Sequence, residues 1–183
     1  FYEINTGKTH AKLTSHYTLI TEDLAKISAY FGHKYLIDVD EQNFRENYAK
    51  LKQKFGLRRV NRAIHIFEEN RRVIDTFASL TSGDNDRFID NIRRSGMSSR
   101  DLLKNLTYPG DDDKMLIKSF DKVYTKTPFG VRVNGGGFAG TIIVMSKSAD
   151  DLDVLNKIFH KNQVKILPVG LAKFKAGHVQ KLK

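Results

Sequence analysis

Apolar residues recur at steps of three and four along two long stretches of the chain, a spacing typical of helices with one buried face. The first stretch is Leu13–Phe31, and Gly32 follows it at the position where glycine commonly ends a helix. The second is Val60–Ala78, which is followed by Gly83-Asp84. The pattern predicts two long helices and a third that Asp84 caps, with the apolar residues Phe88, Ile89 and Ile92.

Three shorter segments carry weaker helix signals. Asp40–Leu51 can form a short helix. Ser95–Ser99 interrupts the helical pattern before it, and Ser98 with Asp101 resembles a capping box that uses Asp in place of Glu. A further helix is predicted over Asp111–Val123, where three acidic residues would lie in a solvated first turn and favour the N-terminal dipole. We therefore expect a helix break and a new cap within Ser95–Ser99.

The last third of the chain has the pattern of strands. Phe129–Val133 and Phe138–Met145 are rich in β-branched residues and flank the turn signal Asn134–Gly137. The other elements predicted around them are a first strand Tyr2–Thr6, a helix Asp150–Phe159, and strands Val164–Leu167 and Val169–Phe174. This order predicts an α+β fold, in which an antiparallel sheet carries helices packed mainly on one face.

Composition excludes several classes of protein. The chain has 183 residues and no Cys, so disulfides, thiolate metal sites and thiol nucleophiles are excluded. Its apolar runs, such as Ile142–Met145, are far shorter than the roughly 20 residues of a membrane span. Phe1–Asn5 shows neither an initiator Met nor a signal-peptide pattern, so we expect the chain to begin inside a larger protein, and we expect that protein in the cytoplasm.

The net charge of +10 raises the question of nucleic-acid binding. Seven lysines and no acidic residue follow Asp153, whereas the residues up to Asp153 carry 24 basic and 21 acidic side chains. The excess therefore consists of spaced lysines with only Phe159 and Phe174 as aromatic neighbours, which gives no base-stacking platform. Nucleic-acid binding is a minor alternative.

The glycine cluster is the most informative local feature. Gly135, Gly136 and Gly137 are adjacent and lie between two predicted strands. They fit a hairpin turn that needs positive φ angles, and they also fit a loop whose bare N–H groups face a phosphate. The turn is the favoured interpretation from the residues alone. The cluster is not a Walker loop, because no Gly-Lys-Ser/Thr follows it.

This cluster resembles a known motif. Arg132–Gly140 is similar to the third motif of the GHMP small-molecule kinases in its galactokinase form, which runs Arg-hydrophobic-Thr-Gly-Gly-Gly-Phe-Gly-Gly. Asn134 stands where the family has Thr, and Ala139 stands where it has Gly. Other segments that resemble galactokinases in family order are Asn5–Tyr17, Arg62–Val73, Gly83-Asp84, Ser95 with Ser98, and Leu167–Gly170. The resemblance spans Ile4 to Phe174.

The resemblance implies a domain organisation. Residues 1–20 would be the end of an amino-terminal lobe and the lobe junction, 21–174 the GHMP kinase C-terminal domain, and 175–183 a flexible tail. The sugar-binding motif, the phosphate loop and the catalytic aspartate of the family's amino-terminal lobe do not occur here. Ser95–Ser99 imitates the phosphate loop superficially, but it matches the family's carboxy-terminal Ser-x-x-Ser segment instead. We therefore expect no catalytic residue and no metal ligand in this chain.

The resemblance also implies site residues. Tyr17 would contact the sugar, although its spacing alone fits a core residue. Gly135, Gly136, Gly137 and Phe138 would face the nucleotide and the phosphate loop of the other lobe.

A polar set on the second long helix has two interpretations. His65, Glu69 and Arg72 share a helix face, and they favour a structural hydrogen-bond network over a metal site. The acidic run at Asp111 favours a solvated helix start over a magnesium site.

The function expected from the resemblance is that of a galactokinase's carboxy-terminal lobe. The intact enzyme would transfer the γ-phosphoryl group of ATP to the anomeric hydroxyl of galactose with Mg²⁺. The lobe alone would be inactive, and its exposed interface would favour self-association. Two alternatives stay open: a non-catalytic, galactokinase-like sugar sensor, and a basic nucleic-acid-binding module. The choice between galactose and galactosamine is also open.

Overall fold

The structure, a computed structural model, describes residues 1–8, 13–148, 150–159 and 164–169. The strands are β1 (Tyr2–Asn5), β2 (Gly130–Val133), β3 (Thr141–Met145) and β4 (Lys165–Pro168). They form one sheet in the order β2-β3-β1-β4, and all three neighbouring pairs are antiparallel. The predicted α+β class is confirmed.

Alternation along the strands places one face of the sheet against the helices. The register pairs Val131 with Val144 and Val133 with Ile142, and Ile4 lies opposite Ile142 on the other side. All five side chains are almost completely buried. They form one core with Leu116, Phe120, Val123, Leu155 and Phe159.

Seven α-helices complete the described part of the chain. They are α1 (Thr14–Tyr30), α2 (Glu41–Glu46), α3 (Tyr48–Phe55), α4 (Leu57–Ser82), α5 (Asn85–Ser98), α6 (Met115–Lys126) and α7 (Asp151–Ile158). The two predicted long helices are confirmed as α1 and α4. The predicted cap is also confirmed, because the Asp84 carboxylate accepts a hydrogen bond from the Arg87 N–H at 3.0 Å.

A second core lies away from the sheet, where α1, α3 and α4 meet. Its buried residues include Ile27, Leu51, Val60 and Phe67. The far end of α4 lies outside this core and leaves four large apolar side chains 57–72% exposed, namely Val73, Ile74, Phe77 and Leu80. A contiguous apolar patch of this kind is typical of a surface that another molecule covers.

The predicted break at Ser95–Ser99 is wrong. Helix α5 continues to Ser98 and runs directly into a π-helical turn, Ser99–Leu103. Gly96 lies inside α5, and this position requires glycine because α5 packs very closely on β2. A Cβ on Gly96 would lie 2.0 Å from the Val131 carbonyl oxygen. Gly96 therefore serves helix-to-sheet contact and not helix termination.

Several predicted boundaries are also corrected. Asp40–Leu51 is not one helix, because α2 ends before Asn47 and α3 follows at once. Asp111 does not begin a helix, because α6 starts at Met115; the Asp111 side chain is buried and not solvated. Strand β3 begins at Thr141, so Phe138 lies in the loop before it.

The predicted division after residue 20 falls inside α1, and β1 is an inner strand of the sheet. The assignment of residues 1–20 to a lobe junction stays a prediction. The predicted tail, 175–183, and the predicted strand beyond Val169 lie outside the described residues. No helix among the described residues is both long and apolar enough to cross a membrane.

Candidate functional site

The loop between β2 and β3, residues 134–140, is named the glycine loop. Gly135, Gly137 and Gly140 have φ angles of 66°, 83° and 92°, and Phe138 has 63°. Only glycine adopts such angles without steric cost, and for Phe138 the cost is roughly 1–3 kcal/mol. The turn interpretation thus accounts for three of the four glycines, whereas Gly136 requires another reason.

Gly136 lies against Tyr17 of α1. A Cβ on Gly136 would be 2.7 Å from the Tyr17 Cε1 atom, closer than real side chains come. The Tyr17 hydroxyl donates a hydrogen bond to the Gly137 carbonyl oxygen at 2.8 Å, and its ring meets Phe138 edge-on at 5.3 Å between centroids. Burial raises the pKa of Tyr17, which keeps its hydroxyl protonated as a donor. The structure therefore brings Tyr17 and the glycine loop into one cluster.

Asn105 holds the other side of the glycine loop, and no sequence pattern indicated this role. Its side chain is buried and donates a hydrogen bond to the Gly136 carbonyl oxygen at 3.1 Å. The backbone carbonyl oxygen of Asn105 accepts a hydrogen bond from the Phe138 N–H. A Cβ on Gly137 would lie 2.3 Å from that carbonyl oxygen, so glycine is also needed there for close approach.

His65, Glu69 and Arg72 lie in a separate polar network between α4 and α5. His65 Nδ1 lies 2.8 Å from the Ser98 hydroxyl oxygen, and Ser95 donates to Glu69 at 2.5 Å. Arg72 pairs with Glu69 at 2.9 Å. Burial lowers the pKa of His65 below its usual 6.5, so the neutral imidazole is favoured.

The serines of the mistaken helix break thus have a different role, because they satisfy this network from within α5. Arg132, the first residue of the family-like motif, approaches Glu69 at 3.7 Å and connects the network to β2.

Asp23 forms an ion cluster that the sequence did not indicate. Its side chain is 1% exposed and contacts three guanidinium groups: Arg62 at 2.6 Å, Arg59 at 2.7 Å and Arg58 at 3.0 Å. Burial acts to raise the pKa of Asp23, but the three arginines together lower it by more than burial raises it. The pKa of the Asp23 carboxyl therefore lies below its usual value. The cluster fixes α1 against the first turns of α4.

A cavity of about 780 Å³ opens beside this cluster and beside the glycine loop. It is named the basic pocket, because its charged lining residues are Arg58, Arg62, Lys104 and Lys114 against Asp111 and Asp112. His16, the neighbour of Tyr17, and Phe138 also line it. The candidate site therefore consists of the glycine loop, its two supports Tyr17 and Asn105, and the basic pocket.

The described residues contain no group of three or more His, Cys, Asp or Glu side chains placed to hold a metal ion. Among the acids that precede α6, Asp113 pairs with Lys8 at 2.7 Å.

Comparison with known proteins gives a consistent answer. The chain is 31% identical to a galactokinase of Mannheimia succiniciproducens and 30% identical to one of Actinobacillus succinogenes, in each case over 162 residues. These alignments cover 88% of this chain and 40% of each relative, so the chain spans less than half the length of the proteins it matches. No protein-family model matches the sequence.

The fold agrees with these relatives. A crystal structure of Lactococcus lactis galactokinase complexed with galactose superposes with a TM-score of 0.62 and 19% identity, and the match covers 86% of this chain and 39% of that one. The α+β fold is therefore shared with the matching part of a sugar kinase. The predicted resemblance is confirmed, and the chain is related to galactokinases over the segment that it covers.

Proposed function

We propose that this chain is the carboxy-terminal lobe of a galactokinase. In the intact protein, the γ-phosphoryl group of ATP is transferred to the anomeric hydroxyl of galactose. Phosphoryl transfer depends mainly on positioning and electrostatic stabilisation, so a lobe without a proton acceptor still contributes by shaping the cleft. The proposal assigns the Mg²⁺, the phosphate loop and the acceptor to an amino-terminal lobe, and places the protein in the cytoplasm.

The observation that carries the proposal is the contact between Tyr17 and the glycine loop. Tyr17 and Gly137 belong to two different family-like segments and are 120 positions apart in sequence, yet the Tyr17 hydroxyl binds the Gly137 carbonyl oxygen directly. Two segments that resemble the same family's sugar-side and phosphate-side motifs therefore form one surface. This surface is the wall that we assign to the sugar and the nucleotide.

The test uses the full-length protein in which this chain occurs, with this chain alone as a second sample. We expect the full-length protein to phosphorylate galactose and the chain alone to give no product above a boiled control. Full-length protein that binds galactose without phosphorylating it would support the sugar-sensing alternative and refute the enzyme.

Tyr17→Phe tests the sugar-side assignment in the full-length protein. It removes one hydroxyl and keeps the ring, and one neutral hydrogen bond contributes about 0.5–1.5 kcal/mol. We expect the KM for galactose to rise more than the KM for ATP. Equal changes in both constants, together with a lower Tm, would show that Tyr17 acts only by supporting the glycine loop.

A further inference from the structure

The lining of the basic pocket has more positively charged than negatively charged side chains. Four cationic side chains line it against two carboxylates, Asp111 and Asp112, a net charge of +2. The Asp23 carboxylate lies behind Arg58 and Arg62, and counting it still leaves a net of +1. Asp23 already accepts from three guanidinium groups, so it cannot neutralise them. A cavity walled by excess cations favours an anionic ligand.

The backbone at this wall is held in uncommon conformations. Lys104, Lys114 and Phe138 have φ angles of 57°, 51° and 63°, and they are the non-glycine residues with positive φ in the described part of the chain. All three line the basic pocket. Left-handed backbone is rare for such residues and gathers at ligand-binding sites. The fold thus places two lysines on the pocket wall at a conformational cost.

The pocket also offers flat apolar surface next to its charges. The His16 ring lies 5.4 Å from Tyr108 and 5.6 Å from Phe138, measured between ring centroids. Leu19 and Ile117 line the same cavity. A ligand that combines an anionic group with a ring or an apolar part would contact both kinds of surface.

We propose that the basic pocket binds the phosphate group of a small phosphorylated organic compound, with Arg58, Lys104 and Lys114 as the phosphate-contacting residues. Guanidinium and ammonium groups form their strongest hydrogen bonds with phosphate and carboxylate oxygens, and phosphate accepts from several donors at once. The proposed function assigns the sugar and the nucleotide to the surface that Tyr17 and the glycine loop form, and it assigns no ligand to the basic pocket beside that surface. This inference therefore goes beyond the proposed function.

The experiment is isothermal titration calorimetry on the 183-residue chain, with inorganic phosphate and phenyl phosphate as probes. We expect both to bind, and phenyl phosphate to bind more tightly. Arg58→Gln and Lys104→Asn should each weaken phenyl phosphate about tenfold, the effect of losing one charge-assisted hydrogen bond. Asn tolerates the left-handed backbone at position 104.

Two control variants separate the site from general charge effects. Arg94→Gln removes an arginine side chain that is 66% exposed and does not line the basic pocket, so it should leave binding unchanged. Asp112→Asn removes a competing carboxylate from the wall and should tighten binding severalfold, which a folding defect cannot imitate.

Three results would overturn the proposal. If neither probe binds at millimolar concentration, the proposed site is refuted. An equal loss of affinity in Arg94→Gln and Lys104→Asn shows non-specific charge attraction. Equal affinities for the two probes refute an organic part in the ligand and leave free phosphate as the species bound. Circular dichroism of every variant is the control that checks folding, and only folded variants are compared.

Discussion

Replacing Gly136 by alanine tests the contact on which the candidate site depends. The new Cβ would lie 2.7 Å from Tyr17 Cε1 and 3.3 Å from Tyr17 Cδ1. Gly136 is not among the glycines with positive φ, so the substitution adds a collision and no backbone strain. The Tyr17 ring has to move away from the glycine loop.

The expected loss of stability follows from the contacts that the ring would give up. The Tyr17 hydrogen bond to Gly137 contributes about 0.5–1.5 kcal/mol, and the edge-on contact with Phe138 contributes about 0.5–1.5 kcal/mol. Gly136→Ala should therefore lower the free energy of unfolding by roughly 1–3 kcal/mol. Gly135→Ala is the matched control, since a Cβ there meets nothing within 4 Å but the φ of 66° is unfavourable for alanine.

A double-mutant cycle separates the two causes. In a Tyr17→Ala background nothing opposes the new Cβ, so Gly136→Ala should become nearly neutral, whereas Gly135→Ala should cost the same in both backgrounds. The assay is urea unfolding followed by far-ultraviolet circular dichroism, because the chain has no Trp to report by fluorescence. If Gly136→Ala costs the same with and without the Tyr17 ring, the proposed contact is refuted.

Two further predictions concern the supports of the fold. Asp23→Asn should cost about 3–5 kcal/mol, because it leaves buried Arg62 without its carboxylate, whereas the exposed control Asp90→Asn should cost less than about 1 kcal/mol. The pKa of Asp23 in the folded protein lies below its usual 3.8, so the stabilisation by its carboxylate is complete above pH 3.8 and is lost as the pH falls through the folded pKa. Urea titrations at several pH values should show this loss in the original protein and not in Asp23→Asn. Gly96→Ala should destabilise by about 1–3 kcal/mol or more in the same assay, because its Cβ would overlap Val131, while Arg94→Ala on the same helix should change stability by less than about 0.5 kcal/mol.

The parts of the fold that sequence predicted are those that local patterns specify. The 3.6-residue apolar period located α1 and α4, and the glycine cluster between β-branched runs located the β2–β3 hairpin. The prediction of a helix break at Ser95–Ser99 failed because Gly96 serves a close contact with Val131, 35 positions away, and does not end the helix. Local propensity predicts a break wherever glycine and serine cluster, and tertiary packing overrides it here.

Only part of the candidate site was predicted, because sequence patterns indicate some of its residues and not others. Tyr17 and the glycines were named from motif resemblance, whereas Asn105 and Asp23 carry no local signal. Asp23 binds arginines 35–39 positions later, and Asn105 binds the glycine loop 31 positions later. Single polar residues of this kind acquire a role only from partners that the fold brings to them.

The two sequence interpretations of the glycine loop, a turn and a phosphate-facing loop, are compatible in the structure. The carbonyl oxygens of Gly136 and Gly137 accept hydrogen bonds from Asn105 and Tyr17. In a planar trans peptide the carbonyl and the following N–H point in opposite directions, so the Gly137 N–H is directed away from Asn105. The fold thus holds the loop by its carbonyls, and a turn held in this way can present an N–H to a ligand. Gly136 is the position where a side chain would disturb this arrangement without breaking the turn.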